Sequence, residues 1–263
     1  MYFKYIVYEK MGAVAKLTLN RPEIGNALEL NLARDLLSAL EDVKSDHSIR
    51  VLVITGAGKT FCSGGDVEYL LNVVSEGSNI DCREFLIELG TPIFMLRELK
   101  QPVIAAINGA AVGGGFDFTL HCDVRIASED AVMGPMWVNN AIIPVMGAMY
   151  ILPKLIGQTR ANEMILRGLT VKGKEAENIG LVNKAVPLEK LEEEAMAIAE
   201  DIAKKPRLAI ECAKRGLLRG MDLNLQHELE YALYLQSVLF KTEDFKEGLR
   251  AFLEKRKPDF KGK

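Results

Sequence analysis

Two glycine-rich segments, each directly after a continuous apolar run, are where this sequence could do chemistry. The first, Lys59-Thr60-Phe61-Cys62-Ser63-Gly64-Gly65-Asp66, follows the run at 50–55. The second, Ala110-Ala111-Val112-Gly113-Gly114-Gly115-Phe116-Asp117, follows the run at 103–107. Such runs read as strands buried on both faces. In a parallel sheet, ligands collect where strand C-termini run into helix N-termini. Glycine lets a backbone approach a ligand closely, and the unpaired N–H groups of a helix start point outward. Two such turns side by side would aim two amide hydrogens at one oxygen, an oxyanion hole usually worth a few kcal/mol per donor. Tight turns and close helix–strand packing are the ordinary account of a lone GGG run. Neither segment is a phosphate loop: GxxxxGKS/T is absent, and GxGxxG does not follow a strand. At this level the sequence specifies a backbone-lined anion or carbonyl site and names no reaction.

The elements that must hold those turns follow from periodicity. Residues 5–8 and 14–19 read as short strands around a polar turn at 10–12. Leu28, Leu32, Leu36, Leu40 and Val43 recur at helical spacing and predict a helix over 27–43. Buried strands are expected at 50–55, 103–107 and 124–127, with a helix over 115–121. Strands alternating with helices imply parallel units and an α/β fold. Beyond residue 157 helices dominate, at 160–167, 172–179, 188–203, 206–219 and 224–241. The expected division is a sheet-based core, 1–200, and a helical C-terminal region, 201–263. Gly77, Ser78 and Asn79 interrupt a helical pattern between 67 and 91, where a mobile loop or lid is expected.

Composition removes several classes. Of 263 residues, 49% are hydrophobic and 26% charged, as in ordinary globular proteins. Lys+Arg 33 against Asp+Glu 36 leaves no basic excess for gripping nucleic acid. No apolar run approaches the roughly 18 residues of a membrane span, and the opening residues lack a signal-peptide core. Cys62, Cys82, Cys122 and Cys212 are widely spaced without a CxxC, which reads as reduced thiols. The expectation is a cytoplasmic protein with no membrane or nucleic-acid partner.

A resemblance to a known family sharpens the reading. NRPE at 20–23, NAL at 26–28, FCSGGD at 61–66, PVIAAING at 102–109, GGGFD at 113–117 and CDVRIA at 122–127 are similar in order and spacing to the enoyl-CoA hydratase/isomerase (crotonase) superfamily. Residues 161–168, GKEA at 173–176, GLV at 180–182 and the closing stretch 247–258 extend it over nearly the whole chain. The resemblance implies a spiral of ββα units with a helical C-terminal trimerisation region, as a homotrimer or a dimer of trimers. It implies an acyl-CoA thioester substrate, with coenzyme A part of the substrate and no resident cofactor or metal. Its carbonyl oxygen would be held by the N–H groups of Gly65 and Gly114, flanked by Ser63, Gly64, Asp66 and Gly113. Polarising that carbonyl acidifies the α-carbon and stabilises an enolate.

One departure matters most. The family's hydratases resemble one another in carrying two glutamates, one two positions after GGG and one about twenty residues later. Here the first position is Asp117 and the second is Trp137, the only Trp of the chain. A single carboxylate does not readily both position a water and protonate the α-carbon, so simple 2-enoyl-CoA hydration is in question. Asp117 is the expected proton-transfer group. Burial would raise its pKa and a helix's first turn would lower it. His121, four residues on, either orients Asp117 or is a half-buried histidine bonded to backbone. Trp137 offers a flat wall for a cyclic or conjugated acyl group. Asn139 and Asn140 either meet a substrate polar group or cap a turn. Asp66 equally suits a helix cap. Cys62 and Tyr150 are weaker candidates.

Where the family usually places a cation before NAL for the CoA phosphates, Ile24 and Gly25 stand; Arg21, Lys59 or the basic tail would have to substitute. The readings are hydration or isomerisation of an enoyl- or dienoyl-CoA, decarboxylation of a malonyl- or glutaconyl-type CoA or acyl-carrier-protein thioester, or acyl-CoA binding without catalysis.

Overall fold

The computed structural model describes residues 3–75 and 81–263. Its chain begins with a hairpin of β1 (Ile6–Met11) and β2 (Val14–Leu19), then α1 (Leu30–Ser45). A first unit follows: β3 (Val51–Gly56), β4 (Thr60–Cys62), α2 (Val67–Val73) and α3 (Cys82–Glu98). A second comprises β5 (Val103–Ile107), β6 (Ala110–Val112) and α4 (Gly114–Leu120). The third has β7 (Val124–Ser128), β8 (Val132–Gly134) and α5 (Ala148–Ile156). Then come α6 (Gln158–Arg167), β9 (Val171–Lys172), α7 (Gly173–Asn178) and β10 (Lys184–Val186). The chain closes with α8 (Leu188–Ala203), α9 (Arg207–Gly220), α10 (Leu225–Leu239) and α11 (Glu243–Leu253).

Each unit lays its first strand in one sheet and its second in another. The larger sheet runs β1-β2-β3-β5-β7-β10 and the smaller β4-β6-β8-β9. Pairing along β2-β3-β5-β7-β10 is parallel throughout. The result is a spiral of ββα units. Continuous apolar strands are explained by two buried faces. Leu52 and Ile54 of β3 join the main core under α1 and α3, whereas Val51 and Val53 face Leu191, Ala195 and Ala199 of α8.

Several boundaries differ from the periodic reading. The helix expected from residue 27 begins at Leu30, because Glu29 caps it by accepting the Asn31 and Leu32 amides at 2.9 and 3.1 Å. Residues 27 and 28 are instead extended, bridging Leu28 to Gly65. α8 runs across position 200 on the sheet, and the chain turns into α9 at 204–206. The interruption at 77–79, where a lid was expected, lies outside the described residues.

α9 is anchored by one buried cation. Lys214 Nζ meets Asp123 Oδ2 at 2.7 Å and donates to the carbonyls of Leu96 and Gln101 at 3.1 and 3.0 Å. By contrast, α10 has no buried residue at all. The basic tail is tied down: Asp244 accepts the Lys261 and Gly262 amides, while Arg256 pairs with Glu247 and Glu254. Among the described residues, no helix is long and apolar enough to cross a membrane.

Candidate active site

The two glycine turns meet. Gly64 has φ +97°, and a methyl group there would lie 3.0 Å from Val112 O and 3.3 Å from Gly114 N. A methyl on Gly114 would sit 3.8 Å from Gly65 N. Neither the Gly65 nor the Gly114 amide has a hydrogen-bond partner among the described residues. The three glycines of the second turn do different jobs. Gly113 makes the turn at φ +53°, and Gly115 lets α4 press on β4, since a Cβ there would lie 2.1 Å from Cys62 O. Gly114 presents its amide beside that of Gly65.

What fixes the first turn comes from far upstream. Leu28 N donates to Gly64 O at 2.7 Å, Asp66 N to Leu28 O at 2.9 Å, and Ser63 N to Gly25 O at 2.9 Å. Behind this ladder, Arg21 Nη1 donates to Ala27 O at 2.8 Å and Nη2 lies 3.3 Å from Asp66 Oδ2. Glu29 approaches Arg21 at 4.0 Å, and the Tyr5 ring lies under the guanidinium. Asn26, fully buried at φ +57°, accepts from Arg21 N and donates to the carbonyls of Ala57 and Thr60. Nothing in a periodicity reading marks Asn26 or Glu29, because buried polar residues look like loop residues until their partners are known.

Asp117 sits in the first turn of α4 with no exposed surface. Its Oδ1 accepts the Ala148 amide at 2.9 Å, and Oδ2 is buried without a partner among the described residues. Burial pushes its carboxyl up to about 8, with the Ala148 and Met146 amides opposing the rise. Desolvation outweighs the two amide contacts.

His121 does not meet Asp117. Its Nε2 lies 2.7 Å from Met146 O, and burial holds the imidazole down to about 4. A neutral ring facing a carbonyl must donate from Nε2, which leaves Nδ1 bare and buried. Asp117 and His121 therefore grip Ala148 and Met146, either side of Gly147 at the start of α5. Of the two expectations, the backbone-bonded histidine is the one the geometry matches.

The other expected positions divide. Trp137 is buried edge-to-face on Phe116 at 6.4 Å, its Nε1 4.0 Å from where a Gly113 side chain would begin. Asn139 Nδ2 donates to Gly168 O at 3.2 Å and so closes a turn. Asn140 is exposed. Asp66 caps α2 through Tyr69 N as well as meeting Arg21. Ser63 Oγ donates to Ile24 O at 3.3 Å. With both ends of its guanidinium engaged, Arg21 is not a free cation for CoA phosphates, whereas Lys59 is exposed. The basic tail's Arg256 and Lys261 are likewise paired within the chain. Burial pushes Cys62 up to about 12, which removes it as a nucleophile.

Comparison with known proteins places this geometry. The family described as enoyl-CoA hydratase/isomerase matches residues 9–263. The chain belongs to that family. It is 37% identical over 262 residues to a crotonyl-CoA hydratase of Syntrophomonas wolfei, covering 99% of each protein. It is 38% identical over 259 residues to an (E)-benzylidenesuccinyl-CoA hydratase of Thauera aromatica, covering 98% of this chain and 99% of that one. A solved enoyl-CoA hydratase from Bacillus anthracis superposes with TM-score 0.93 at 37% identity, over 99% of this chain and 100% of that one. As an enoyl-CoA hydratase/isomerase family member, this chain is an acyl-CoA enzyme.

Proposed function

We propose that this enzyme hydrates or isomerises an enoyl- or dienoyl-CoA through a thioester enolate, with one carboxyl handling the proton. The amides of Gly65 and Gly114 bind the thioester oxygen, and their charge stabilisation grows as the enolate forms. Asp117 Oδ2, buried and unpartnered, is the proton-transfer atom. Its raised pKa keeps both protonation states accessible near neutral pH. No resident cofactor is needed, since coenzyme A arrives with the substrate. The carrying observation is the meeting of two unpartnered glycine amides, with one desolvated carboxyl three residues further along α4. Trp137 packs in place of a second acid and suits a flat, conjugated or cyclic acyl group.

That apolar indole also favours a second reading, decarboxylation of a malonyl- or glutaconyl-type thioester, which needs the amide pair but no second acid. A panel of enoyl, dienoyl, cyclic and malonyl CoA thioesters, followed by mass spectrometry, separates the outcomes. Gain of water or movement of the double bond supports the first reading, and release of carbon dioxide the second. Binding without turnover of any thioester would make the chain an acyl-CoA-binding protein.

The oligomer is part of the proposal. Leu225, Leu229 and Leu233 of α10 are 74%, 50% and 69% exposed, a spacing that puts them along one face. Phe252 and Leu253 of α11 are similarly bare. We infer that second copies cover these helices, giving a trimer or a dimer of trimers. Sedimentation or light scattering tests this, and a monomer at micromolar concentration would rule it out.

A further inference from the structure

A cleft of about 560 Å³ lies at the other end of α4 from Gly114. His121 and Tyr150 form part of its wall, Phe94 of α3 another part, and α9 faces them. It begins one helical turn beyond Asp117, since His121 ends α4 and Tyr150 lies in the first turn of α5. Along the axis of α4 this is roughly 10 Å from Gly114. Its volume is in the range that holds a small organic ligand.

The charges around the cleft do not balance. Lys214 is taken by Asp123, Asp222 by Lys154 at 3.0 Å, and Glu211 by Arg207 at 3.5 Å. Those charges are met within the protein. Arg97, Lys100, Arg215 and Arg219 also line the cleft, and none has a carboxylate partner among the described residues. Glu98 is the lining acid without a cationic partner among the described residues. Four cations therefore stand against one acid.

Arg97 is the most telling of them. Its guanidinium is half-buried, and its polar contact is to Met221 Sδ at 3.3 Å, a weak acceptor for so strong a donor. Arg219 is held over the Tyr231 ring at 4.2 Å. A partly desolvated guanidinium without an oxygen acceptor is a fork waiting for a carboxylate.

We propose that this cleft binds a carboxylate at the distal end of the acyl chain, so that the substrates are CoA thioesters of dicarboxylic acids. The inference rests on the acyl-CoA reading above: an acyl chain running along α4 from a thioester held at Gly65 and Gly114 would reach the cleft one helical turn beyond Asp117. The same cations would also accept a phosphate of coenzyme A, and the experiment separates the two sources.

Matched saturated CoA thioesters, with and without a terminal carboxylate, are titrated calorimetrically into the full-length protein alongside coenzyme A alone. The carboxylate-bearing member is expected to bind about tenfold or more tightly, as a charge-assisted contact implies. Arg97→Gln should shrink that ratio towards one, and the exposed Arg215→Gln provides a second variant should the first fail to fold. Equal binding of the matched pair by the wild type overturns the inference. So does a variant that weakens coenzyme A and both thioesters alike, which would assign the cleft to a CoA phosphate. Turnover of the matching enoyl pair, followed in parallel, reports separately on the proposed reaction: a preserved binding ratio without turnover leaves the cleft assignment standing and removes the catalytic one.

Discussion

Arg21 and Asp66, separated by 45 residues, meet at 3.3 Å directly behind the turn that carries Gly65. The pair joins two ends of one stitch, since residues 25–28 and 63–66 share three backbone hydrogen bonds. Gly65 thus owes its direction to a segment far upstream in the chain. Arg21→Met should leave a folded protein whose turn is looser. We expect kcat to fall about tenfold or more with a smaller change in KM, because misplacement of a transition-state donor costs rate before binding. Steady-state kinetics on the first confirmed thioester checks this, and an unchanged kcat would reduce Arg21 to packing.

Gly114→Ala separates geometry from folding. The new methyl meets only the end of Leu28 at 3.0 Å, a side chain able to move, but it intrudes 3.8 Å from Gly65 N, where a carbonyl oxygen would sit. The expected result is a near-normal melting temperature with kcat/KM lowered about a hundredfold or more. Gly64→Ala is the contrasting case. At φ +97° and 3.0 Å from Val112 O, it should lose stability as well as activity.

How much of this was legible follows from the kind of signal each part leaves. Buried parallel strands such as β3 and β5 announce themselves as unbroken apolar runs, because both faces are covered. β4, β6 and β8 have three residues each, too short for any period, so the second sheet was invisible before the chain folded. The glycine turns were readable as motifs. Their contact was not, since it depends on those same short strands. The Asp117–Ala148 bond spans 31 residues and uses a main-chain amide, which no residue type advertises. His121 shared a helix face with Asp117 in sequence, yet its bond goes to Met146 O.

Asp117 should dominate the pH dependence of stability on the alkaline side. Its pKa rises from 3.8 in the unfolded chain to about 8 in the fold, so its contribution is complete below about pH 4 and disappears as pH climbs through 8. His121 has the opposite sign: held down to about 4 from 6.5, it adds stability as pH rises between those values. From pH 6.5 to 8 the His121 slope is over while the Asp117 slope continues, about 1.4 kcal/mol per unit at most. Asp117→Asn keeps an acceptor for Ala148 and removes the titration. Urea unfolding should show wild type losing ground to Asp117→Asn across that window, and parallel curves would contradict a buried, titrating carboxyl. Activity of the wild type should rise through the same region as the carboxylate forms, a limb that vanishes in the variant.

A buried ammonium holds α9 in place. Lys214 is 7% exposed, and its ammonium has three acceptors, one a carboxylate at 2.7 Å. Burial alone would drive the proton off, and it does pull the pKa down, while Asp123 opposes that shift. Lys214→Met keeps most of the packing volume but leaves Asp123, among the described residues, with only the Val103 amide and strands the carbonyls of Leu96 and Gln101. Removing one partner of a buried pair costs about 3–5 kcal/mol. The loss should appear in urea unfolding as a lower midpoint. Because α9 walls the cleft beyond Asp117, it should also raise KM for long acyl chains more than for short ones. A midpoint within error of wild type would mean that apolar packing, not this cation, fixes the helix.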